Sequence, residues 1–429
     1  MDLNDLNLIT DIIFMKISIF SDLHFGHNAS SKLENDSFDH ADEAIRKSMD
    51  SDLILIPGDI YDSKFPKTDV WARSLKVLSK AILANKHDIK LVDTINKNLE
   101  EISQKTLQGI PIIALHGTHE RLTKGQQNAI QALEQAGFVI HLHLNGLVFE
   151  KNGVKVAIQG MSGVPERYAK QILDKWDPKP INGCYNILLL HQSIEPFIYS
   201  PLEPPTISTS NLPKGFDLIV NGHIHTPQME KINGTTLLLA GSTVITQLKK
   251  EEAETPKGLF ELQLPENKIY FIELENSRNF FYEEIVVEEN KSIQEQLKER
   301  VDKILSQNLT KEPIIRFKLI SKKPILIDRE LKKLENDYEG KAILRFSKQV
   351  DSEDVAAKIE FLKKMRGGER VSVEEMGITL LQKNLEILKF SKKIDSDYLF
   401  RLLADGQVDK AFDILTGQQK TIGAVVKSD

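Results

Sequence analysis

Short apolar runs, each closed by turn residues and several stopping at an aspartate or histidine, fill the first two thirds of the chain. Residues 16–20, 53–56, 112–115, 154–158, 186–190, 218–220 and 236–239 are too short for buried helices and are bounded by Gly, Asp, Asn or Pro. They predict buried strands. Segments 42–49, 69–84, 93–105 and 126–136 lie between them and predict helices. Strands alternating with helices predict a layered α/β architecture, here a β-sandwich core flanked by helices. Met15 opens the first strand, so residues 1–14 read as an extension outside the fold.

Five of the strands run into residues that ligate metals. The first leads to Asp22 and His24, the second to Gly58-Asp59, the third to Gly117-Thr118-His119-Glu120, a later one to His191, and the next to Gly222-His223-Ile224-His225. The two-residue period of a strand predicts Asp22 with His24, and His223 with His225, on one side. Sites in layered α/β folds gather at the carboxyl ends of strands, so all five would meet on one rim. The glycines before Asp59, Thr118 and His223 predict sharp backbone turns into that site. Imidazole mixed with carboxylate suits Mn, Zn or Fe, and no thiolate cluster favours a structural zinc. Two such ions about 3.5–4 Å apart can clamp an in-line displacement at phosphorus. One carboxylate must bridge them, and Asp59 is the natural candidate.

Composition limits the alternatives. Hydrophobic residues make up 41% and charged residues 28%, the balance of a soluble globular protein. No apolar run is long enough to span a membrane. The first fourteen residues carry Asp2, Asp5 and Asp11 without Lys or Arg, the wrong charge for a signal or transit peptide. A single cysteine, Cys184, excludes an internal disulfide framework and fits a reducing cytoplasm. The net charge of −6 argues mildly against bulk electrostatic grip on nucleic acid, so metals or a local basic face would have to supply positive charge.

Together these motifs resemble the five motifs of the calcineurin-like metallophosphoesterases over about residues 15–275. Within them, Ser-Asp-Leu-His-Phe-Gly-His at 21–27 and Gly-Asp-Ile-Tyr-Asp at 58–62 are similar to the double-strand-break repair nucleases: the meiotic-recombination-eleven family, SbcD in bacteria, and an archaeal branch. The resemblance implies that Asp22, His24, Asp59 and His225 hold one ion. It implies that Asp59, Thr118, His191 and His223 hold the second. His119 would contact the scissile phosphate, with Asp62 near it. The family usually has Asn at the position of Thr118 and Asp at that of Glu120. A neutral hydroxyl is the poorer ligand, so the second ion is expected to bind more weakly, or to be completed by water or Glu120. His27 and His116 are expected outside the ligand set.

After about residue 276 the pattern changes. Segments 313–319 and 342–346 predict strands, and 292–305 and 328–335 helices, so 276–350 reads as a small α/β module, which the resemblance implies is a capping domain that positions DNA. Its basic residues Arg278, Arg316, Lys318, Lys322, Lys323 and Arg345 are candidates for phosphate contacts. Residues 201–205 give a loop signal. Residues 351–429 read as helical, with a Ser372/Glu375 capping box and apolar stripes at Met376, Leu380, Leu381, Leu385 and Leu388, and at Leu399, Leu402, Leu403, Val408, Phe412 and Leu415. Spacing alone also allows these stripes to pack as a small self-contained bundle. The resemblance implies that this tail docks on an SbcC-type coiled-coil ATPase, that the substrate is DNA ends, that the metal is Mn2+, and that the chain forms a homodimer. Two other readings remain open from sequence: a phosphoesterase of the same fold acting on a non-DNA ester, and a non-catalytic DNA-binding scaffold.

Overall fold

A computed structural model describes residues 15–84, 88–122, 125–198, 206–287, 292–321 and 327–350, and beyond these 377–379, 381–382, 384–385, 395–404, 411 and 414–415. The expected extension 1–14, the 201–205 loop, Lys322, Lys323, the Ser372/Glu375 box and stripe residues Met376, Leu380, Leu388, Val408 and Phe412 lie outside the described residues.

Two sheets stack face to face. A six-stranded sheet runs in the order Lys268–Glu273, Gly258–Leu264, Met15–Ile19, Leu53–Ile56, Ile112–Ala114, Ile140–His141. A seven-stranded sheet runs Gln228–Ile232, Thr235–Leu239, Leu218–Asn221, Tyr185–Leu190, Val154–Met161, Asn145–Lys151, Lys90–Ile95. Strand alternation explains the layering. Leu53 and Leu55 point inward with Ile17, Ile187, Leu189 and Val220 into the core between the sheets. Ile54 and Ile56 point outward against Ala41, Ile45, Leu78 and Ile130 of the helices Asp36–Lys47, Thr68–Ile82 and Ala129–Gln135. Leu188 and Leu190 point the other way, against Ala169 and Leu173 of the helix Glu166–Trp176. Helix, sheet, sheet and helix follow in order, as the sequence pattern predicts.

The parallel strands Met15–Ile19, Leu53–Ile56 and Ile112–Ala114 of one sheet, and Tyr185–Leu190 and Leu218–Asn221 of the other, carry the five motifs. Being parallel within each sheet, they deliver their carboxyl ends to a common edge.

One expectation fails. Residues 93–105 are not a helix: Lys90–Ile95 is a strand at the sheet's edge, antiparallel to Asn145–Lys151, and two short 3-10 turns follow, capped by Asn98 and Ser103. The strand is polar because it is an edge, and its β-branched Val92, Thr94 and Ile95 fit a pleat better than a helix. The helix read at 42–49 begins earlier, at Asp36.

The sheet Phe280–Val286, Ile314–Ser321, Ile343–Val350 is parallel, and with the helices Ile293–Leu305 and Asp328–Asp337 it closes over its own core of Leu297, Val301, Phe317, Leu319 and Leu334. It belongs to one compact unit with the two large sheets. The join is specific. Arg278 grips the Asp36 carboxylate through Nε at 2.6 Å and Nη2 at 2.8 Å, and gives Nη1 to the Glu312 carbonyl at 2.6 Å. Glu43 accepts the Glu275 and Asn276 amides. These bonds give Arg278 a structural place in the join, each of its three nitrogens donating one hydrogen bond there. Arg316 likewise gives Nη1 to the Leu248 carbonyl, Arg345 gives Nη1 to the Leu344 carbonyl, and Lys318 pairs with Glu284 at 2.9 Å.

The remaining residues form a second unit. There Leu399, Leu402 and Ala411 are buried, with Leu381, Leu385, Ile414 and Leu415 packed on them. The described part of the apolar stripes thus covers itself, while Tyr398 and Leu403 of the helix Ser396–Ala404 stay exposed.

Candidate metal centre

Each expected ligand comes from the loop just beyond a strand, and left-handed backbone does the aiming. Asp22, His24, Asp59 and His223 all have positive φ, between 46° and 73°. The period-two argument therefore found the right side chains for the wrong reason: the chain has left strand geometry before each ligand. Such a conformation costs on the order of 1 kcal/mol or more at each residue, and persists only where the surroundings enforce it. Of the three glycines expected to turn, only Gly58 has a positive φ, at 110°. Gly117 and Gly222 serve close approach instead, since a Cβ there would fall 2.1 Å from Asp59 Oδ1 and 2.3 Å from the Pro57 carbonyl.

The structure brings the predicted residues together in three groups whose ligand atoms lie within 4.8 Å of one another: Asp22, His24 and His225; His24, Asp59 and His119; Asp59, His191 and His223. His24 and Asp59 each belong to two groups, and of the two only Asp59 is a carboxylate able to bridge a pair of ions. Thr118 reaches the same point, its Oγ1 donating to Asp59 Oδ2 at 3.1 Å. All of these except Thr118, His119 and His223 are buried.

The hydrogen bonds behind the imidazoles settle which nitrogen faces the centre. His24 donates from Nδ1 to Asp62 Oδ1 at 3.0 Å, leaving its Nε2 lone pair inward. His191 donates from Nδ1 to the Pro57 carbonyl at 2.7 Å, and its Nε2 stands 3.2 Å from Asp59 Oδ2. His225 Nδ1 bonds the Thr246 hydroxyl, and its Nε2 lies 3.2 Å from His24 Nε2. His223 Nε2 bonds the Ser193 hydroxyl at 3.0 Å. Carbonyls, carboxylates and hydroxyls holding the far nitrogen of each ring are the usual support of a metal-binding histidine.

The pocket fits cations. Asp22 Oδ1 and His191 Nε2 are buried without hydrogen-bond partners among the described residues, although both face it. Burial opposes the charge on Asp22, but the His225 and His191 imidazoles outweigh it and hold the carboxyl below its ordinary value. Asp59, also buried, is held well below by His191, His24 and His119. Burial disfavours a charged His191, yet Asp59 raises it to about 9. Burial and His191 push His223 down to about 3, leaving it neutral. Buried anions that call for positive partners, with imidazoles among them and His223 neutral, are a donor set that suits divalent ions.

One expectation is corrected and another gains a second role. Asp62, 3.8 Å from the His119 ring, takes both His24 Nδ1 and His27 Nδ1 on its Oδ1, at 3.0 and 3.3 Å, so it orients His24. Glu120 does not complete the second ion's shell. It is fully buried, and its two oxygens accept the Tyr61 and Gly117 amides, each at 2.7 Å, tying the second motif to the third. His116 bonds His141 at 2.9 Å and lies outside the ligand groups, as expected. Thr246 and Ser193 are the supporting residues that sequence reading missed, and no local pattern marks either of them. Thr246 sits in a turn held by the buried Glu252, which accepts the amides of 246, 247 and 248 and pairs with Lys257 at 2.8 Å.

The family model of the calcineurin-like phosphoesterases matches residues 15–227. Such metallophosphoesterases use divalent metals, and the clusters above lie within the matched segment. The DNA double-strand break repair protein Mre11 of Methanopyrus kandleri is 27% identical over 296 residues, which cover 63% of this chain and 59% of that protein. The chain thus spans somewhat over half the length of that relative. The protein of the same name from Methanococcus maripaludis is 26% identical over 347 residues, covering 76% and 80%. Among solved structures, a putative 5'-nucleotidase from Staphylococcus aureus is similar over 61% of this chain and 53% of that one, with 14% identity and a TM-score of 0.36. Among the described residues no helix is long and apolar enough to cross a membrane.

Proposed function

We propose that the chain is a two-metal DNA nuclease that works on the ends of broken DNA, with Mn2+ as its metal. The observation that carries the two-metal reading is the Asp59 carboxylate shared by two ligand groups, with His191 Nε2 3.2 Å from its Oδ2 and the buried Asp22 carboxylate in a third group joined to it through His24. Asp22, His24, Asp59 and His225 would hold one ion, and Asp59, Thr118, His191 and His223 the other. Bound there, the ions supply charge stabilisation at phosphorus and an activated water. DNA as substrate is supported by the relatives named for double-strand break repair.

The chain's own residues divide the rest of the work. His119 has a half-exposed ring, edge-on to His24 with centroids 4.7 Å apart, while its amide donates to Asp59 Oδ1 at 2.9 Å. It stands where a scissile phosphate bound between the ions would present its leaving oxygen, and can donate a proton or a hydrogen bond to it. Its Nδ1 is 3.0 Å from the Asp62 carbonyl, which fixes that nitrogen as the donor and turns Nε2 to the substrate. Asp62 keeps His24 in its ligating tautomer.

The same reading assigns 3'–5' exonuclease and single-strand endonuclease activity, a cytoplasmic location, a homodimer, the 276–350 module as the part that positions DNA, and an SbcC-type ATPase docked on the 351–429 helices. Exposed Tyr398 and Leu403 are the described residues in that tail available to a partner.

The test is incubation of the purified chain with end-labelled duplex and single-stranded DNA, and separately with bis(p-nitrophenyl) phosphate, in Mn2+, Mg2+ and chelator. Mn-dependent cleavage of DNA, lost in chelator and in His119→Ala, is expected. Hydrolysis of the chromogenic diester with no action on DNA would instead assign a phosphoesterase of another substrate. Tight DNA binding without turnover in any metal would leave a scaffold.

A further inference from the structure

Arg121 follows His119 and Glu120 directly in the loop beyond the third ligand-bearing strand. Its side chain is partly buried, and Nη1 is shut off from solvent with no hydrogen-bond partner. Among the described residues no carboxylate pairs with it. A guanidinium is always charged and carries five N–H donors and no acceptor. Holding one half-buried and unpaired costs folding free energy, and it contrasts with Arg278, whose three nitrogens each donate a hydrogen bond.

Its surroundings repeat the pattern. His116 stands five residues before Arg121 on the way out of the same strand, its Nδ1 2.9 Å from His141 Nε2. His143 lies 5.4 Å from His116, ring to ring, and its Nδ1 is also buried without a partner. Arg121 belongs to none of the three ligand groups. As a cation it would be repelled by the ions those groups hold, and an anion is the natural partner for its free donors.

We propose that Arg121 is a phosphate clamp: its guanidinium takes the non-bridging oxygens of a phosphodiester neighbouring the one that is cut. The match is chemical, since the planar fork fits two phosphate oxygens, whereas the scissile group lies between the ions and His119. The clamp rests on the diester-nuclease reading and adds to it a substrate class. A strand of several nucleotides has a second phosphate to offer, and a small diester has none.

The experiment compares wild type, Arg121→Ala, Arg121→Lys and Arg121→Met in Mn2+ on a short end-labelled single-stranded oligonucleotide and on bis(p-nitrophenyl) phosphate. For Arg121→Ala, kcat/KM on the oligonucleotide should fall roughly 10- to 100-fold, chiefly through KM, the loss of charge-assisted bonds to one phosphate. Hydrolysis of the chromogenic diester should stay within about twofold, and Arg121→Lys should recover only part of the loss because it lacks the fork. Arg121→Met should melt no lower than wild type, since no internal bond is removed. Oligonucleotide cleavage unchanged in Arg121→Ala would overturn the clamp, as would equal losses on both substrates with a lowered melting temperature in Arg121→Met. A wild type that hydrolyses the chromogenic diester but no oligonucleotide would overturn the nuclease reading itself, and the clamp with it.

Discussion

Replacing Gly58 by alanine tests the geometry of the centre through one methyl group. The residue has φ of 110°, a region that L side chains avoid, and alanine there costs on the order of 1–3 kcal/mol in backbone strain. The added Cβ would stand 2.2 Å from His191 Nδ1 and 2.7 Å from its Cγ. Non-bonded contact needs about 3.5 Å, so the ring must retreat by roughly 1.3 Å. It cannot do so and keep the 2.7 Å bond to the Pro57 carbonyl that sets its tautomer. That lost bond adds about 1 kcal/mol, for a total of roughly 2–4 kcal/mol. Ligand distances tolerate shifts of only about 0.2 Å, so the ion held by Asp59, His191 and His223 should be lost, while the one held by Asp22, His24 and His225 remains. The assay is metal stoichiometry after dialysis against limiting Mn2+, alongside turnover of bis(p-nitrophenyl) phosphate. The expected result is about one equivalent in place of two, with turnover down at least about 100-fold. A Gly58→Ala protein that binds two equivalents with wild-type affinity would refute the reasoning, because His191 could not then be where the structure puts it.

Three further outcomes are expected. Thr118 offers a neutral hydroxyl, so the second ion should titrate more weakly than the first in isothermal calorimetry, and Thr118→Asn should tighten it by roughly tenfold; two equally tight sites in the wild type would contradict this. Glu252→Ala should destabilise the protein by about 3–5 kcal/mol in chemical denaturation, because buried Lys257 loses its partner, and Thr246 should release His225, lowering affinity for the first ion. His40 is fully buried, and burial pushes it down to about 4 despite the charge of Asp36. The unfolded chain binds a proton here below pH about 6.5 and the folded one does not until about 4, so the associated stability is complete above 6.5 and falls, by about 3 kcal/mol at most, as pH drops to 4. Denaturation midpoints across that window should show this slope in wild type and lose it in His40→Gln; identical slopes would sink the assignment.

What the sequence disclosed and what it withheld have separate physical causes. The buried parallel strands were legible because both faces of each sheet are covered, which makes 53–56, 187–190 and 218–220 continuous apolar runs. The strand Lys90–Ile95 was not, because an edge exposes its side chains and erases the alternation that identifies strands. The ligands were legible because each follows its strand by a few residues, so their convergence needed only parallel pairing. The groups that make them ligands lie on the opposite side of that limit. Pro57 contributes a carbonyl, Thr246 and Ser193 contribute common hydroxyls, and Glu120 contributes two oxygens to amides in two different loops. None has a spacing rule, since each is fixed by where a ring nitrogen happens to point after folding. Asp62 illustrates the consequence: the family resemblance suggests a place near the phosphate, and only the direction of His24 Nδ1 reveals that it also supports the ligand. First contacts with an ion are carried by residue type at strand ends, whereas the contacts that choose a tautomer are carried by tertiary geometry. A variant altered only behind the centre, such as one at Thr246, should therefore look intact in sequence and yet bind metal poorly.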